Sequence, residues 1–169
     1  IKNNISLYVA HTNYDVIDGG MNDVLAALLN LKNTSPIEMV TDDLGLGRVG
    51  NLSQPYTPKQ FIKYCKDILN INELKVIGNI PEKISRIAII GGSGSSNIND
   101  VKALNVDVYI TGDVTYHHAL HALEINQCIF DVGHHIEDLA MPAIKEMLRN
   151  NGVTCNVNVS TSNVNPYKK

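Results

Sequence analysis

A strand–helix–strand unit in residues 107–138 constrains the fold of this chain more than any other stretch. Two apolar runs, at residues 106–110 and 128–132, flank a segment with helical character at residues 116–124. A helix between two short apolar strands is typical of a crossover between parallel strands, in a sheet that is covered on both faces. Ligands collect at the carboxyl ends of such strands, where loops converge. We therefore expect the functional site in this stretch.

The rest of the chain continues the alternation of strands and helices. Further strands are predicted at residues 5–10, 74–77, 85–90 and 153–159. Further helices are predicted at residues 21–31, 58–69 and 98–104, with a last helix that begins at 137 or 140 and ends at 150. Residues 33–51 contain many turn formers and are predicted to be a connector. The pattern predicts an α/β fold with a mixed or parallel sheet and helices on both faces.

Composition narrows the functional class. The chain has 169 residues, of which 44% are hydrophobic and 18% charged, as in an ordinary globular protein with a real core. A net charge of −3 offers no basic surface, so we expect no nucleic-acid partner. No apolar run approaches the roughly 20 residues that span a bilayer. Three widely spaced cysteines are typical of a reducing compartment. We expect a cytoplasmic protein without a membrane partner.

Imidazole and carboxylate side chains follow the apolar run at residues 128–132. His134 and Glu137 are three residues apart, so both face one point if the segment turns into a helix. Asp138 is the competing carboxylate. Neutral imidazole and carboxylate are the usual ligands of zinc, iron or manganese. The segment therefore predicts a metal site.

Two other segments contribute candidates of the same kind. Asp15 follows the predicted first strand with His11 four positions before it, and this pair could bind a metal or simply form a turn or cap. On the predicted helix at 116–124, His117 and His121 are four residues apart and could share a metal. A single imidazole, that of His117, facing the site as an acid or base is the alternative. Asp113 is expected to cap that helix.

A glycine-rich loop, GGSGSS, follows the predicted strand at residues 85–90. Strand, glycine loop and helix can present backbone N–H groups to an anion, which would involve Gly92, Ser93 and Gly94. The alternative is that the glycines only let strand and helix pack closely. The spacing matches neither of the common nucleotide-binding glycine motifs.

Three segments together resemble the Nif3-like family, also known as GTP cyclohydrolase 1 type 2 homologues: HTNYDVIDGGMNDVLAALLNL, IAIIGGSGSSNINDVKALNVDVYITGDVTYHHALHALE and IFDVGHHIE. The motifs HTN-x-D, GGSG, TGD-x-x-YH and DxGH-x-x-E occur in that order, and the similarity covers nearly the whole chain. The resemblance implies a cytoplasmic α/β protein with a dinuclear metal centre, assembled as a homohexameric ring.

The resemblance also implies roles for particular residues. The metal ligands would be Asp15, His134 and Glu137. Some family members space the last carboxylate one residue further on, which would select Asp138. The side chains of His11 and His117, together with the GGSG loop, would line the same cavity. The two imidazoles would then be the candidates for proton transfer.

The chain departs from the family pattern at its start. The family takes further ligands from a His-His pair upstream of HTN-x-D, whereas this chain begins with IKNNISLYVAH. We therefore expect a fragment with an incomplete site that binds one ion weakly or none, where the complete protein binds two. The short connector predicts the compact form, without the inserted domain that many members carry. The chain would then consist of the rest of an N-terminal α/β half, residues 1–44, and a C-terminal α/β half, residues 45–169. The C-terminal tail could pack back on the first half.

These features lead to two functional hypotheses. One is a metal-dependent hydrolase of a nucleotide or phosphoester, in which only the family name suggests GTP. The other is a non-catalytic protein that binds metal or acts as a scaffold. No residue in the sequence is an unambiguous nucleophile, so the residues alone do not exclude the second hypothesis.

Overall fold

The computed structural model describes residues 2–162 and 164–167, which form a mixed sheet with helices on both faces. The strands are β1 (Lys32–Ser35), β2 (Glu38–Met39), β3 (Gly45–Leu46), β4 (Arg48–Tyr56), β5 (Lys75–Ile77), β6 (Ile84–Ile89), β7 (Val108–Thr111) and β8 (Ile129–Asp131). The helices are α1 (Thr12–Val16), α2 (Met21–Leu28), α3 (Pro58–Ile68), α4 (Ile98–Ala103), α5 (Tyr116–Glu124) and α6 (Met141–Asn150), with 3-10 turns at Ser95–Asn97 and His134–Ala140. The predicted α/β class is confirmed.

The main sheet has six strands in the order β1-β4-β6-β7-β8-β5. The central strands β6, β7 and β8 are parallel, and the outer pairings are antiparallel. Strands β2 and β3 form a separate antiparallel ribbon. Because β6 to β8 run the same way, their carboxyl ends lie along one edge of the sheet, as the strand–helix–strand pattern predicts.

Alternate residues of the central strands build two cores, one on each face of the sheet. Ile87 and Ile89 of β6 point into the larger core, which also contains Leu25 of α2 and Phe61 of α3. The intervening Ala88 belongs to the second core, beside residues of α4 and α5. Both faces of the parallel strands are apolar because both are covered. Within the described part of the chain, no helix has the length and apolar character needed to cross a membrane.

Two predicted strands are wrong. Residues 5–10 form no strand, although their composition suits one, and Leu7 is 88% exposed. Residues 153–159 also form no strand. A strand needs a neighbour to pair its backbone groups, and the sheet ends in β1 and β5 without taking up either segment.

The predicted connector at residues 33–51 is also wrong, since it contains β2, β3, most of β1 and the start of β4. Every residue of β1 is exposed, and β4 buries only part of its length. The apolar alternation that signals a strand is therefore absent from β1. Pairing with β6 and β1 makes β4 a strand, and this pairing involves distant residues.

Helices α2 to α6 agree with the predicted helices to within a few residues, because local signals define their ends, whereas α1 was not predicted. The N–H of Thr57, the residue before Pro58, donates to Gln60 Oε1 at 3.0 Å in a capping box. At the other ends, four helices are followed within two residues by an asparagine with positive φ: Asn30, Asn70, Asn105 and Asn126. Asparagine is tolerated in this left-handed conformation, which terminates helices.

Cys128 is a buried free thiol. Burial raises the pKa of its thiol to about 12. Cys65 is buried as well, and burial raises the pKa of that thiol too. Both side chains therefore pack as small apolar groups and are protonated at neutral pH.

Candidate metal centre

The loops that follow β6, β7 and β8 meet at the carboxyl edge of the sheet. The Gly112 N–H, after β7, donates to the Gly92 carbonyl, after β6, at 2.8 Å. A Cβ on Gly112 would lie only 2.7 Å from the backbone nitrogen of His134, after β8. Three segments that the sequence singled out are therefore in direct contact at one place.

His134 is held between two carboxylates. Its Nδ1 lies 2.7 Å from Asp113 Oδ2, and its Nε2 lies 3.4 Å from Glu137 Oε1. The hydrogen bond to Asp113 raises the pKa of His134, and the charge of Glu137 raises it further. One ring nitrogen is thus occupied by Asp113, while the other faces Glu137.

Asp113 does not cap the following helix, and that prediction is wrong. The cap of α5 is Thr115, whose hydroxyl accepts from the backbone N–H of His118. Asp113 has a φ of 52°, a left-handed conformation that few residues other than glycine adopt. Its side chain bonds His134 instead. An acidic residue two positions after a parallel strand is the signal that would have identified it.

Gly92 makes room for Glu137. A Cβ at this position would collide with Glu137 Oε1 and lie 3.3 Å from His134 Nε2. Gly92 also has a φ of +65°, which favours glycine on its own account. Close packing is therefore the role that the geometry supports for this glycine.

The rest of the glycine loop is engaged with the protein or exposed. The Gly94 N–H donates to Thr111 Oγ1 at 2.9 Å, and its carbonyl accepts from the Tyr109 hydroxyl at 2.7 Å. Ser93 is exposed. Contact of this loop with an anion remains a prediction from the sequence.

A short helix, rather than the predicted strand tip, delivers Asp15 to the site. Asp15 lies in α1, and Asn22 of α2 holds the end of that helix. The buried Asn22 donates from Nδ2 to the Asp15 carbonyl at 2.9 Å and accepts from the Gly91 N–H at 3.0 Å. This one amide side chain joins the first part of the chain to the glycine loop. Asn22 was not predicted as part of the site, because an asparagine in a helix carries no local sign of such a role.

Several titratable side chains at this edge change the pKa of one another: His11, Asp15, Asp113, His134 and Glu137. Burial raises the pKa of Asp15, and the charges of His11 and His134 lower it. Burial likewise raises the pKa of Glu137. The charges of His134 and His11 lower that pKa, and the charge of Asp15 raises it. The acidic residue from the front of the chain is therefore close to the imidazole and carboxylate from its back. The structure places His134 beside Glu137, and Asp15 interacts with both through its charge. The role of these three residues as metal ligands stays a prediction.

The donors suit a metal ion in type but not in number. Within residues 2–162 and 164–167, no group of three or more His, Cys, Asp or Glu side chains is arranged to hold an ion. Two donor atoms of the candidate ligands face each other, His134 Nε2 and Glu137 Oε1. Asp15 is the nearby third donor, coupled to both by charge. Imidazole with two carboxylates is a usual set for zinc, iron or manganese, and three donors are too few for two ions.

Three other histidines, His117, His121 and His135, lie at different places. His117 is exposed on α5, with its ring centre 5.7 Å from that of Tyr116, and its role in proton transfer remains a prediction. His121 Nε2 is 2.8 Å from Asn99 Oδ1. His135 lies beside the site, where its Nε2 is 3.4 Å from Asn165 Nδ2 in the C-terminal tail.

A cavity of about 370 Å³ lies over these side chains. Asp138, the alternative carboxylate ligand, is exposed and lines this cavity together with Glu137. The tail contributes Val164, Pro166 and Tyr167 to the same lining. The tail residues were not predicted at this cavity, because a contact between residues 30 positions apart, such as that of Asn165 with His135, leaves no local pattern.

A sequence model of the Duf34/NIF3 (NGG1p interacting factor 3) family matches residues 1–167. The chain belongs to this family. A curated relative from Streptococcus pneumoniae, named GTP cyclohydrolase 1 type 2 homolog, is 33% identical over 99% of this chain and 66% of its own length. A relative of the same name from Clostridium perfringens is 39% identical over 79% of this chain and 52% of its own. The NIF3-family chain thus spans about half to two-thirds of these relatives.

Solved structures agree with the family and with the fold. Protein SA1388 of Staphylococcus aureus is 28% identical, with a TM-score of 0.88 over 99% of this chain and 70% of that protein. Reduced HcgD from Methanocaldococcus jannaschii is 33% identical, with a TM-score of 0.73 over 89% of this chain and 59% of that protein. A Bacillus cereus protein related to NIF3 has a TM-score of 0.87 at 22% identity, which supports the fold alone.

Proposed function

We propose that this chain binds a divalent metal ion through His134, Glu137 and Asp15, as part of a metal-dependent hydrolase that acts on a nucleotide or phosphoester. The observation that carries the proposal is the arrangement of Asp113, His134 and Glu137. One ring nitrogen of the imidazole is 2.7 Å from Asp113, and the other faces Glu137 at 3.4 Å. Imidazoles that bind metals are usually oriented by a carboxylate on the second ring nitrogen.

Asp113 selects the form of His134 that can bind a cation. A carboxylate that accepts the Nδ1 proton leaves the lone pair on Nε2, the nitrogen that faces Glu137. Burial disfavours the charged forms of Asp15 and Glu137 and so raises the pKa of both carboxyl groups. A cation among these groups would offset the repulsion between the two carboxylates. Zinc, iron and manganese all accept this set of donors.

The chain's own residues divide the remaining work of hydrolysis. A bound divalent cation supplies a Lewis acid and an acidified water. The His11 imidazole is exposed and close enough to Asp15 and Glu137 to change their pKa values, so it can exchange protons between the site and solvent. Gly92 keeps space for Glu137 beside His134.

The complete protein is proposed to bind two ions and to assemble as a homohexameric ring. The resemblance to the family suggests both properties. Three protein donors serve one ion, so a second ion would need ligands from residues beyond Asp15, His134 and Glu137.

Metal binding is tested by titrating the protein with Mn²⁺ and Zn²⁺, using calorimetry and elemental analysis. We expect binding of one ion by this chain and a loss of about tenfold or more in affinity for His134→Ala, Glu137→Gln and Asp15→Asn. His121→Ala is the matched control, because His121 contacts Asn99 rather than these donors. Equal affinity in all four variants would overturn the proposed ligand set.

Hydrolysis is tested separately with the metal-loaded protein and a panel of nucleotides and phosphoesters. Turnover that disappears in Glu137→Gln and persists in His121→Ala supports an enzyme. Stoichiometric metal with no turnover on any substrate would support the non-catalytic alternative, in which the protein binds metal or acts as a scaffold.

A further inference from the structure

The cavity over the candidate metal centre is lined by two chemically different groups of residues. Its polar lining consists of Asp113, His134, His135, Glu137 and Asp138. Its other lining residues are Val164, Pro166 and Tyr167, all from the C-terminal tail. The volume of about 370 Å³ lies near the lower end of the range for small-molecule sites. A ligand that fits this cavity must therefore satisfy ionic groups and apolar surface together.

Asn165 attaches the tail to the polar lining. Its Nδ2 lies 3.4 Å from His135 Nε2, and its Oδ1 accepts from the Tyr167 N–H at 3.0 Å. Asn165 is half-buried, whereas its neighbours Val164 and Tyr167 are 55% and 76% exposed. A polar anchor thus holds apolar side chains at the cavity with most of their surface still available for contact.

We propose that Val164, Pro166 and Tyr167 form a ring-binding wall, and that the cavity takes an aromatic or heteroaromatic ring that carries a phosphate group. The inference rests on the proposed metal site, because a bound cation is what would attract phosphate to a lining that contains three carboxylates. The exposed apolar surface of the wall favours contact with a flat ring over contact with a second charged group. Phosphate alone would leave that surface in water.

The test measures binding without chemistry. Mn²⁺-loaded protein is titrated by calorimetry with phenylphosphonate and with methylphosphonate, neither of which has a phosphoester bond to hydrolyse. We expect phenylphosphonate to bind about tenfold more tightly to the unaltered protein. Tyr167→Ala should abolish this preference and leave the affinity for methylphosphonate unchanged.

Two control variants separate the wall from general effects on the fold. Tyr167→Phe keeps the aromatic ring and should keep the preference. Leu123→Ala removes an exposed apolar side chain of α5 that does not line the cavity, and it should change neither affinity.

The outcomes distinguish this inference from the proposal on which it rests. Failure to bind Mn²⁺ would overturn the proposed metal site and the ring-binding wall with it. Binding of Mn²⁺ without binding of either phosphonate would overturn the wall and leave the metal site standing. Binding of Mn²⁺ and of both phosphonates with equal affinity would overturn the wall alone. A preference for phenylphosphonate that survives in Tyr167→Ala would also overturn the wall.

Discussion

Gly92 shows how a single residue controls the geometry of this site. Its φ of +65° suits glycine, and the space above its Cα is occupied by Glu137 Oε1. A side chain at position 92 would therefore be unfavourable for two reasons: the left-handed backbone conformation and the overlap with Glu137 Oε1. Only the first is visible in the sequence, as a glycine-rich loop after a strand. The second depends on a residue 45 positions away.

We expect Gly92→Ala to lower the free energy of unfolding by about 1–2 kcal/mol from the left-handed backbone alone, and to weaken Mn²⁺ binding by displacing Glu137. Chemical denaturation and calorimetry measure the two effects. Gly152→Ala is the matched control, because Gly152 has a φ of +88° and nothing within 4 Å of its added Cβ. Metal affinity that falls equally in both variants would contradict a specific role for Gly92.

Among the secondary-structure elements, the helices have ends that the sequence determines well. The capping box of α3 uses residues only three positions apart, so the pattern and the contact coincide. The carboxyl ends rely on asparagine in the left-handed conformation, as at Asn70 after α3 and Asn126 after α5. Glycine occupies this conformation at lower cost than asparagine.

Asn70→Gly should therefore stabilise the protein, by about 0.5 kcal/mol, because it removes the strain of the 52° φ angle. Asn72→Gly is the control, since Asn72 is exposed in a bend two positions further on and has no positive φ. That substitution should destabilise, because it only increases the freedom of the unfolded chain. Urea unfolding of both variants measures the difference, and a loss of stability in Asn70→Gly would contradict the argument.

The whole molecule brings the two ends of the chain together through contacts that no local pattern encodes. The hydroxyl of Tyr14 in α1 donates to the Ala140 carbonyl at 3.4 Å, and Asn22 ties α1 to the glycine loop. Residues 126 positions apart thus share one edge of the sheet. Burial in this packing raises the pKa of both the Asp15 and the Glu137 carboxyl groups, and the charge of Asp15 raises the pKa of Glu137 further.

That arrangement predicts how the stability of the metal-free protein depends on pH. Asp15, Glu137 and His134 all have a higher pKa in the folded state than in the unfolded state. At a pH between the unfolded-state and folded-state pKa of each group, the folded protein therefore binds more protons than the unfolded chain. These three groups stabilise the folded state at low pH, and their contribution is lost as the pH rises. The loss begins near the pKa of a carboxyl group in the unfolded chain, which is about 4. Protonation of other carboxylates opposes this trend at the acid end.

Urea unfolding in the presence of a chelator, at pH 5 and pH 8, measures the contribution of Glu137. We expect Glu137→Gln to reduce the loss of stability between the two pH values, because the neutral amide cannot lose a proton. Excess Mn²⁺ should stabilise the unaltered protein at pH 8 through binding to the folded state. An unchanged pH dependence in Glu137→Gln would contradict the raised pKa of its carboxyl group.

The sequence by itself determined the elements whose signals are local. It predicted α3, α5 and the three parallel strands, because apolar periodicity and caps act over a few residues. It also placed the candidate side chains His134 and Glu137 after the last of these strands, where the structure has them. Its motifs also identified the family, which the comparison over residues 1–167 confirms.

Only the tertiary structure decided which extended segments pair and which distant side chains meet. Residues 5–10 have the composition of a strand but no partner, whereas the exposed β1 is a strand because β4 pairs with it. The contact of Asp113 with His134 and the position of the tail over the cavity arise in the same way. Strand pairing and side-chain contacts between distant residues depend on the packing of the whole chain, and short-range patterns carry no record of them.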